Sequence, residues 1–422
     1  MTAASRLWFA GVDWASSKHD VSLSDDGGKI VGRRVFEHSG TGLAQMADWL
    51  VRESGAEPPD IHVAIETPHG AVVETLLERG FKVYSINPKQ LDRFRDRFTV
   101  AGAKDDRRDA DVLGSSLRTD AKAFRALQPA DPQIVELREW SRMAEEHGRD
   151  LRRYLSRLRD QLQRYFPAFL ALGGDPDADW KLALFEMCPT PAMARALPRA
   201  RVARLVKSRG VRCHNADELL AILRAPAPDV SDATVRAAEA HALALLKAIR
   251  LSVGLLKQAH AELDRITAAL CEPATSEAGE NQPGQTVQRD AAILYSSPGM
   301  GRIILATLLA EAPQAVRERD YHALRSHGGI APVTRQSGKH RHVVRRYACN
   351  RRLQNVLYHW ARIAIQKDAR CRARYGALRA RGHSWARALR AVADHLLYVA
   401  CAMLKAGTQY DPNHGAQATQ ST

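Results

Sequence analysis

Two short apolar runs near the start of the chain each end on a carboxylate. Residues 7–13 (Leu-Trp-Phe-Ala-Gly-Val-Asp) form a β-prone run of strand length that ends on Asp13. Residues 61–66 (Ile-His-Val-Ala-Ile-Glu) repeat this design and end on Glu66, before a Thr-Pro-His-Gly breaker. An ionised carboxylate is costly to bury unless it is paired or bound to a cation. The pattern therefore predicts two central strands whose ends carry a polar site.

The hydrophobic pattern around these two runs predicts an α/β domain over residues 6–125. An Asp-Gly-Gly turn at 26–28 joins two of the predicted strands as a hairpin. Three antiparallel strands followed by strands alternating with helices is the order of a ribonuclease-H-like domain. The further strands are predicted at 19–24, 30–36 and 82–86, and the helices at 43–53 and 71–79.

A third acidic segment, residues 104–113, begins a predicted helix. Asp106 and Asp109 are three residues apart, so their Cβ atoms share one helix face at roughly 5–6 Å. Acids at a helix N-terminus also stabilise the helix dipole, which is the simpler interpretation of the run. Together with Asp13 and Glu66, however, they supply four hard oxygen ligands for Mg²⁺. Two such ions roughly 3.5–4 Å apart suit phosphodiester chemistry.

Residues 131–271 change to helical periodicity. From Ala242 to Leu270, apolar residues recur at alternating steps of three and four, a seam of about four heptads typical of a coiled coil. An earlier stretch from Leu137 to Tyr165 has the same character, and a Pro-punctuated helical insert spans 173–232. The two long helices either pair within one chain as a hairpin or form a seam between protomers; the pattern leaves both open.

The remaining chain divides by composition. Residues 272–288 are rich in Gly, Pro, Ser and Thr, which predicts a flexible linker. Residues 289–405 form a mainly helical third unit, and the polar tail, 406–422, is expected to be disordered. Near its start the third unit contains Ser-Pro-Gly-Met-Gly at 297–301. This segment resembles a helix-hairpin-helix turn, in which backbone N–H groups beside Gly299 and Gly301 hold a phosphate.

Ser337 lies in a Gly-containing segment among cations. A loop serine is usually a turn former. Set among Arg335, Lys339 and Arg341, this one instead suits attack on a phosphodiester, with the cations stabilising the developing charge. The following helix carries basic residues on one face, as a backbone-gripping helix would. Further candidate nucleic-acid contacts there are Arg345, Arg346, Asn350, Arg351 and Arg352.

The charge of the chain supports a polyanionic partner. It has 62 basic and 47 acidic residues, a net charge of +15, within 422 residues that allow two or three domains. Six scattered cysteines without a CxxC pair argue against zinc and disulfides. No leader-like segment and no apolar run near 18 residues is present. We expect a soluble bacterial protein of the cytoplasm, associated with the nucleoid.

The ordered set of motifs resembles the DEDD transposases of bacterial insertion sequences, a group that includes bridge-RNA-guided recombinases and pilin-gene invertases. The resemblance covers residues 8–405 and rests on the four acids, the helical stalk, the Ser-Pro-Gly-Met-Gly turn and the Gly-Ile-Ala-Pro…Ser-Gly segment. It implies a RuvC-like domain whose carboxylates bind Mg²⁺ and a C-terminal serine, here Ser337, that joins DNA covalently. It also implies a homo-oligomer, dimer or tetramer, in which one protomer's acids serve another's serine. A structured RNA would pair with donor and target double-stranded DNA.

Two departures leave alternatives open. The family's Lys-Thr-Asp is Lys104-Asp105-Asp106 here, so either aspartate can be the ligand, although the spacing to Asp109 favours Asp106. The family's Lys-x-Gly-Asn-x-x-Leu-Arg is blurred, with Cys349 for the glycine and Gln354 for the arginine. Two other functions compete with transposition: a Holliday-junction resolvase that uses the acids alone, and a domesticated nucleic-acid-binding protein without catalysis.

Overall fold

The protein consists of two compact units, Met1–Ala130 and Asp131–Thr422. The structure, a computed structural model, describes residues 6–86, 88–95, 106–129, 131–272, 283–337 and 340–413. Among these residues, none of the helices has both the length and the apolar character that crossing a bilayer requires.

The N-terminal unit is built on a six-stranded mixed sheet of order β3-β2-β1-β4-β5-β6. β1 is antiparallel to β2 and parallel to β4, so the first strand occupies the centre of the sheet as its apolar sequence predicts. The strands are β1 Trp8–Trp14, β2 Lys18–Ser24, β3 Ile30–Glu37, β4 Ile61–Ile65, β5 Lys82–Ser85 and β6 Arg125–Ala126.

Helices cover both faces of this sheet. They are α1 Gly40–Ser54, α2 Ala71–Glu78, α3 Pro88–Arg95 and α4 Asp106–Thr119. Alternate residues of β1 enter different cores: Ala10 and Val12 pack in one with Met46 and Leu76, while Phe9 packs in the other with Leu113. The mixed sheet and its helices confirm the predicted α/β class and are consistent with a ribonuclease-H-like domain.

Two long helices, α5 Pro132–Tyr165 and α11 Asp232–Cys271, form the backbone of the second unit. They pack antiparallel within the chain, since the start of α5 shares a core with the end of α11 and Arg265 pairs with Glu136 at 2.9 Å. The seam residues Leu245, Ile249, Leu263 and Leu270 are buried, as the periodicity predicts. The hairpin alternative is therefore the one this chain adopts.

The insert, together with the short helix Pro167–Leu170 that precedes it, forms a separate core with the end of α5 and the start of α11. Five short helices contribute apolar residues that pack against the end of α5 and the start of α11. They are α6 Pro167–Leu170, α7 Asp179–Met187, α8 Pro191–Ala196, α9 Arg199–Ser208 and α10 Ala216–Leu223.

The C-terminal elements share a core with the start of α5 and the end of α11, so they belong to the same compact unit as these two long helices. Between the helices lies a two-stranded hairpin, β7 Val333–Ser337 and β8 His340–Val344. The remaining elements are α12 Pro283–Tyr295, α13 Arg302–Glu311, α14 Pro313–Arg317, α15 Tyr321–His327, α16 Arg351–Lys367, α17 Ala369–Ala380 and α18 Trp385–Ala406.

Two boundaries and one element differ from those predicted. The linker, expected to reach residue 288, gives way to α12 at Pro283, because proline is well suited to the first turn of a helix and Val287 packs on the core. The start of the tail is ordered, because Tyr410 donates its hydroxyl to Asp368 at 3.1 Å. The β7–β8 hairpin was not predicted. Residues 273–282 and 414–422 lie outside the described residues.

Candidate active site

Asp13 and Glu66 leave the sheet side by side. β1 and β4 run parallel in a register that pairs Val12 with Ile65, so the next residues along each strand are Asp13 and Glu66. Both carboxylates are half-buried. Because the carboxyl ends of parallel strands meet at one edge of a sheet, the two acids lie at the same edge, as the sequence predicts.

α4 lies directly on the backbone of β1, at a pair of glycines. A Cβ atom on Gly11 would stand 1.9 Å from the carbonyl oxygen of Ala110 and 2.6 Å from the amide nitrogen of Gly114. A Cβ atom on Gly114 would in turn meet the amide nitrogen of Gly11 at 3.1 Å. Helix and strand therefore approach as closely as two backbones can, and only glycine fits at residue 11.

This contact sets the position of Asp109 relative to β1. Asp109 precedes Ala110 on α4 and is 4% exposed. Gly11 and Asp13 are two residues apart and share one sheet face, the face on which α4 packs. Since Gly114 lies over Phe9 and Ala10 while Ala110 lies over Gly11, the N-terminal turn of α4 extends toward Asp13. Three acidic residues from separate elements thus belong to segments that meet at one end of one face.

The fourth acid is only partly placed. Asp106 is the first residue of α4, and its side chain lies outside the described part of the chain, as does all of Asp105. The choice between the two therefore stays a prediction. No group of three or more His, Cys, Asp or Glu side chains close enough to hold a metal ion is present among the described side chains.

Asp20 on β2 is an acid that sequence reasoning missed. It pairs directly with Asp13 across the β1–β2 hairpin, so the two side chains project from the same face. Asp20 is 7% exposed, and within the described residues no hydrogen bond or ion pair involves its carboxylate. The short connection at 15–17 indicates a hairpin between β1 and β2, but it does not by itself determine which residue lies opposite Asp13.

Two histidines of this sheet have lowered pKa values. Burial, reinforced by the charge of His38, lowers the pKa of His19 to about 4. The Nε2 atom of His19 lies 2.9 Å from Nδ1 of His38. On β4, burial and then the charge of Lys82 lower the pKa of His62, which stands between the rings of Phe9 and Tyr84. Neither imidazole contributes positive charge near neutral pH.

Ser337 is the last residue of β7 and is exposed. It pairs with His340 across the hairpin, and Arg335 pairs with His342, so these four side chains share one face. The rings of His340 and His342 stack with centroids 6.2 Å apart. The structure thus places an imidazole opposite the predicted nucleophile, which sequence reasoning missed because the hairpin itself was missed.

Arg341, by contrast, pairs with Gln336 on the opposite face of this hairpin from Ser337. Lys339 lies outside the described residues. Of the three cations predicted around the serine, Arg335 is therefore the one that the strand register places on the serine's face.

The Ser-Pro-Gly-Met-Gly turn joins α12 to α13. Gly299 has φ +77°, and a Cβ atom there would stand 2.7 Å from the amide nitrogen of Ala364 on α16. The indole of Trp360 donates to the carbonyl of Pro298 at 3.0 Å. Gly299 therefore serves close packing against α16. Gly301 is exposed, has no atom within 4 Å of an added Cβ, and caps α13.

The predicted basic contacts separate into two groups. Arg345 and Arg351 are exposed, and each donates a hydrogen bond to Gln354. Arg352 instead forms ion pairs with Glu145 at 2.8 Å and with the 5%-exposed Glu311 at 2.9 Å.

Asn350 and Arg346 are also engaged internally. The Asn350 amide donates to Glu311 at 2.7 Å, and its carbonyl oxygen caps α16. Arg346 donates to the backbone carbonyl of Ala331 at 3.3 Å. Arg352, Asn350 and Arg346 thus hold the fold together, whereas Arg345 and Arg351 face solvent.

Comparison with known families covers both units. A profile of DEDD transposases of the IS110 type matches residues 10–167. A second profile, the transposase IS116/IS110/IS902 family, matches residues 291–376. The first match spans Asp13, Glu66 and Asp109, and the second spans Ser337.

Individual relatives agree with these profiles. The putative transposase y4uE of Sinorhizobium fredii is 56% identical over 208 residues, which are 49% of this chain and 58% of that protein. The mini-circle putative transposase for IS117 of Streptomyces coelicolor is 33% identical over 399 residues, 92% of each chain. An uncharacterised 44.8 kDa protein of insertion element IS116 from Streptomyces clavuligerus is 26% identical over 97% of this chain and 98% of its own.

Proposed function

Because this chain belongs to the IS110 family of insertion-sequence transposases, enzymes that act on DNA, we propose how it performs the reaction. Asp13, Glu66, Asp106 and Asp109 form one half of the active site, and Ser337 supplies a protein nucleophile. The observation that supports the first half is the backbone contact of α4, the helix of Asp109, on Gly11 of β1, two residues before Asp13.

The donor set fits magnesium. Carboxylate oxygens are the ligands that Mg²⁺ prefers, and Asp13 and Glu66 end neighbouring parallel strands while Asp109 comes from the helix packed on β1. Asp13, Glu66, Asp106 and Asp109 would hold the metal, two ions in this proposal. When bound, Mg²⁺ would neutralise charge that develops on the phosphodiester oxygens.

The β7–β8 hairpin supports the second half of the proposal. The Ser337 hydroxyl attacks the phosphorus of a DNA phosphodiester; the Oγ–P bond forms as the bond to the leaving deoxyribose oxygen breaks, and that oxygen takes up a proton from water to become a free hydroxyl. The hydroxyl proton passes to the imidazole of His340, the cross-strand partner of Ser337. His340 thus acts as the general base that a serine nucleophile requires. Arg335, on the same face, stabilises the charge on the phosphoryl oxygens. A later attack by a free DNA hydroxyl reverses these steps and rejoins the strand.

Two further features come from the family resemblance. We propose that a structured RNA selects donor and target DNA, and that the enzyme works as an oligomer in which one protomer's acids act with another's serine. The net charge of +15 supports a nucleic-acid partner.

The test is recombination between a donor and a target plasmid, with and without RNA from the element's flanking region. Wild-type protein in Mg²⁺ should recombine, EDTA should stop it, and Ser337→Ala should bind DNA but form neither recombinant nor covalent adduct. Adducts trapped on a nicked substrate map the attached residue by mass spectrometry. A wild-type enzyme that recombines in EDTA would overturn the metal, and an adduct that persists in Ser337→Ala would overturn the serine.

A mixing experiment tests the shared active site. Asp13→Ala and Ser337→Ala are each expected to be inactive alone, because each removes one half of the chemistry. In a mixed oligomer, the Ser337→Ala protomer supplies intact acids and the Asp13→Ala protomer supplies an intact serine. If one active site combines acids and serine from different protomers, the mixture should regain part of the wild-type activity. Activity regained by the mixture but absent from an Asp13→Ala, Ser337→Ala double variant supports the proposal; no regain would contradict it.

A further inference from the structure

The insert carries a basic groove that the reaction described above does not use. An open groove of about 860 Å³ is lined by Arg201, Arg204, Leu205, Lys207, Ser208 and Met187. Five of these six residues belong to α9, and Met187 ends α7. We call this feature the basic groove.

The sequence of α9 separates its two faces. Val202 and Leu205 are buried in the core of the insert. Arg201, Arg204 and Lys207 recur every three residues and are exposed. Residues three apart are neighbours on a helix surface, so three cations lie in a row along one face. They span about 9 Å of helix length at about 1.5 Å per residue.

Acids compensate the neighbouring cations but not these three. Arg199 forms a two-point pair with Asp217, both distances 2.7 Å, and Arg209 pairs with Asp179. Within the described residues, the side chains of Arg201, Arg204 and Lys207 form no hydrogen bond or ion pair. Adjacent like charges repel one another, so this row destabilises the free protein slightly and becomes favourable only beside an anion.

A row of cations over an apolar floor fits a linear polyanion better than a small anion. Phosphates repeat along a nucleic-acid strand, and Lys and Arg that neutralise them release counterions. The family acts on DNA. We therefore propose that the basic groove binds the phosphate backbone of duplex DNA, without sequence preference, as a second contact remote in sequence from both halves of the active site. This inference does not depend on the metal, the serine or the RNA.

The test compares two full-length variants that lose the same charge. The first carries Arg201→Gln, Arg204→Gln and Lys207→Gln. The control carries Arg149→Gln, Arg153→Gln and Arg265→Gln, which removes three exposed arginines already paired with acids in the same unit. Fluorescence anisotropy with a random-sequence DNA duplex, at several salt concentrations, gives the dissociation constant and its salt dependence. Thermal unfolding of both variants checks that they fold.

We expect the groove variant to flatten the plot of log K against log salt by about 0.9 for each lost phosphate contact, hence by about 2–3, with affinity reduced at least roughly tenfold near 0.1 M salt. The control should keep the wild-type slope. An unchanged slope in the groove variant, or an equal change in the control, would overturn the proposal. A loss of affinity that the groove variant shows only for single- or double-stranded RNA probes, tested in parallel, would also overturn the proposal.

A second measurement uses the unaltered protein, so it does not depend on how the variants fold. Hydrogen–deuterium exchange with and without the same duplex should show slower exchange across 199–208 when DNA is bound. Unchanged exchange at saturating DNA would contradict a contact at the groove, whatever the variants show.

Discussion

Gly11→Ala tests whether the contact between α4 and β1 assembles the acids. The added methyl would stand 1.9 Å from the Ala110 carbonyl oxygen, whereas side-chain Cβ atoms essentially never approach within 3.0 Å. The helix must therefore move by at least about 1 Å, because both partners are backbone and no side chain can rotate away. Asp109 adjoins Ala110 and moves with it.

The expected effect on rate exceeds the effect on stability. Overpacking a core site costs about 1–3 kcal/mol, which many domains of this size survive. A displacement of about 1 Å at reacting groups lowers rates by about a hundredfold. Gly11→Ala should thus yield a folded protein that melts at a lower temperature and recombines at about 1% of the wild-type rate or less. Circular dichroism with thermal unfolding and the two-plasmid recombination assay measure the two quantities.

Two other glycines provide controls of known geometry. A Cβ atom at Gly114 meets its nearest neighbour at 3.1 Å, so Gly114→Ala should have a milder effect in the same direction. Gly254, in the middle of α11, has no atom within 4 Å of an added Cβ. Gly254→Ala should raise the free energy of unfolding by about 0.5–1 kcal/mol and leave recombination unchanged. Wild-type activity and stability in Gly11→Ala would refute the contact.

Three more predictions concern charged groups. Glu311→Ala should lower the free energy of unfolding by about 3 kcal/mol, because it leaves Arg352 and the Asn350 amide without their buried partner. Arg345→Gln and Arg351→Gln should each reduce the slope of log K for DNA binding against log salt concentration. Arg352→Gln should mainly reduce stability. The N-terminal unit should lose stability as pH falls from about 6.5 toward 4, because unfolded His19 takes up a proton that burial denies it in the folded state. Thermal unfolding from pH 8 to 4 measures this, and a slope as steep in His19→Asn would exclude His19 as its source.

The N-terminal unit was predictable because its signals are local. Apolar runs of strand length ending on Asp13 and Glu66 fix two central parallel strands, and the Asp-Gly-Gly turn fixes the hairpin of β2 and β3. Proximity across the sheet then follows from parallel geometry alone. The position of Asp20 did not follow, because the side chain opposite Asp13 depends on a register that a one-residue slip would reverse.

The C-terminal unit was less predictable because its contacts join residues distant in sequence. Arg352 looks like a phosphate ligand in the sequence, yet its partners Glu145 and Glu311 come from α5 and α13. No local rule separates it from the solvent-exposed Arg351 one residue earlier. The β7–β8 hairpin was missed because its exposed, charged strands lack the apolar alternation that marks a half-buried strand.

Two glycines in different sequence contexts both allow a close backbone contact. Gly299 adopts φ +77° and lets a turn pack on α16, so its role is structural. Gly11 lies inside a central strand, where glycine destabilises by roughly 0.5–1 kcal/mol relative to alanine. That loss of stability is offset because the absence of a side chain allows the backbone of α4 to pack against β1. The close contact of the two backbones allows acids on α4 and at the end of β1 to approach one site. The glycine inside β1 is therefore the sequence feature that, together with the acids, indicates a site rather than three separate helix and strand ends.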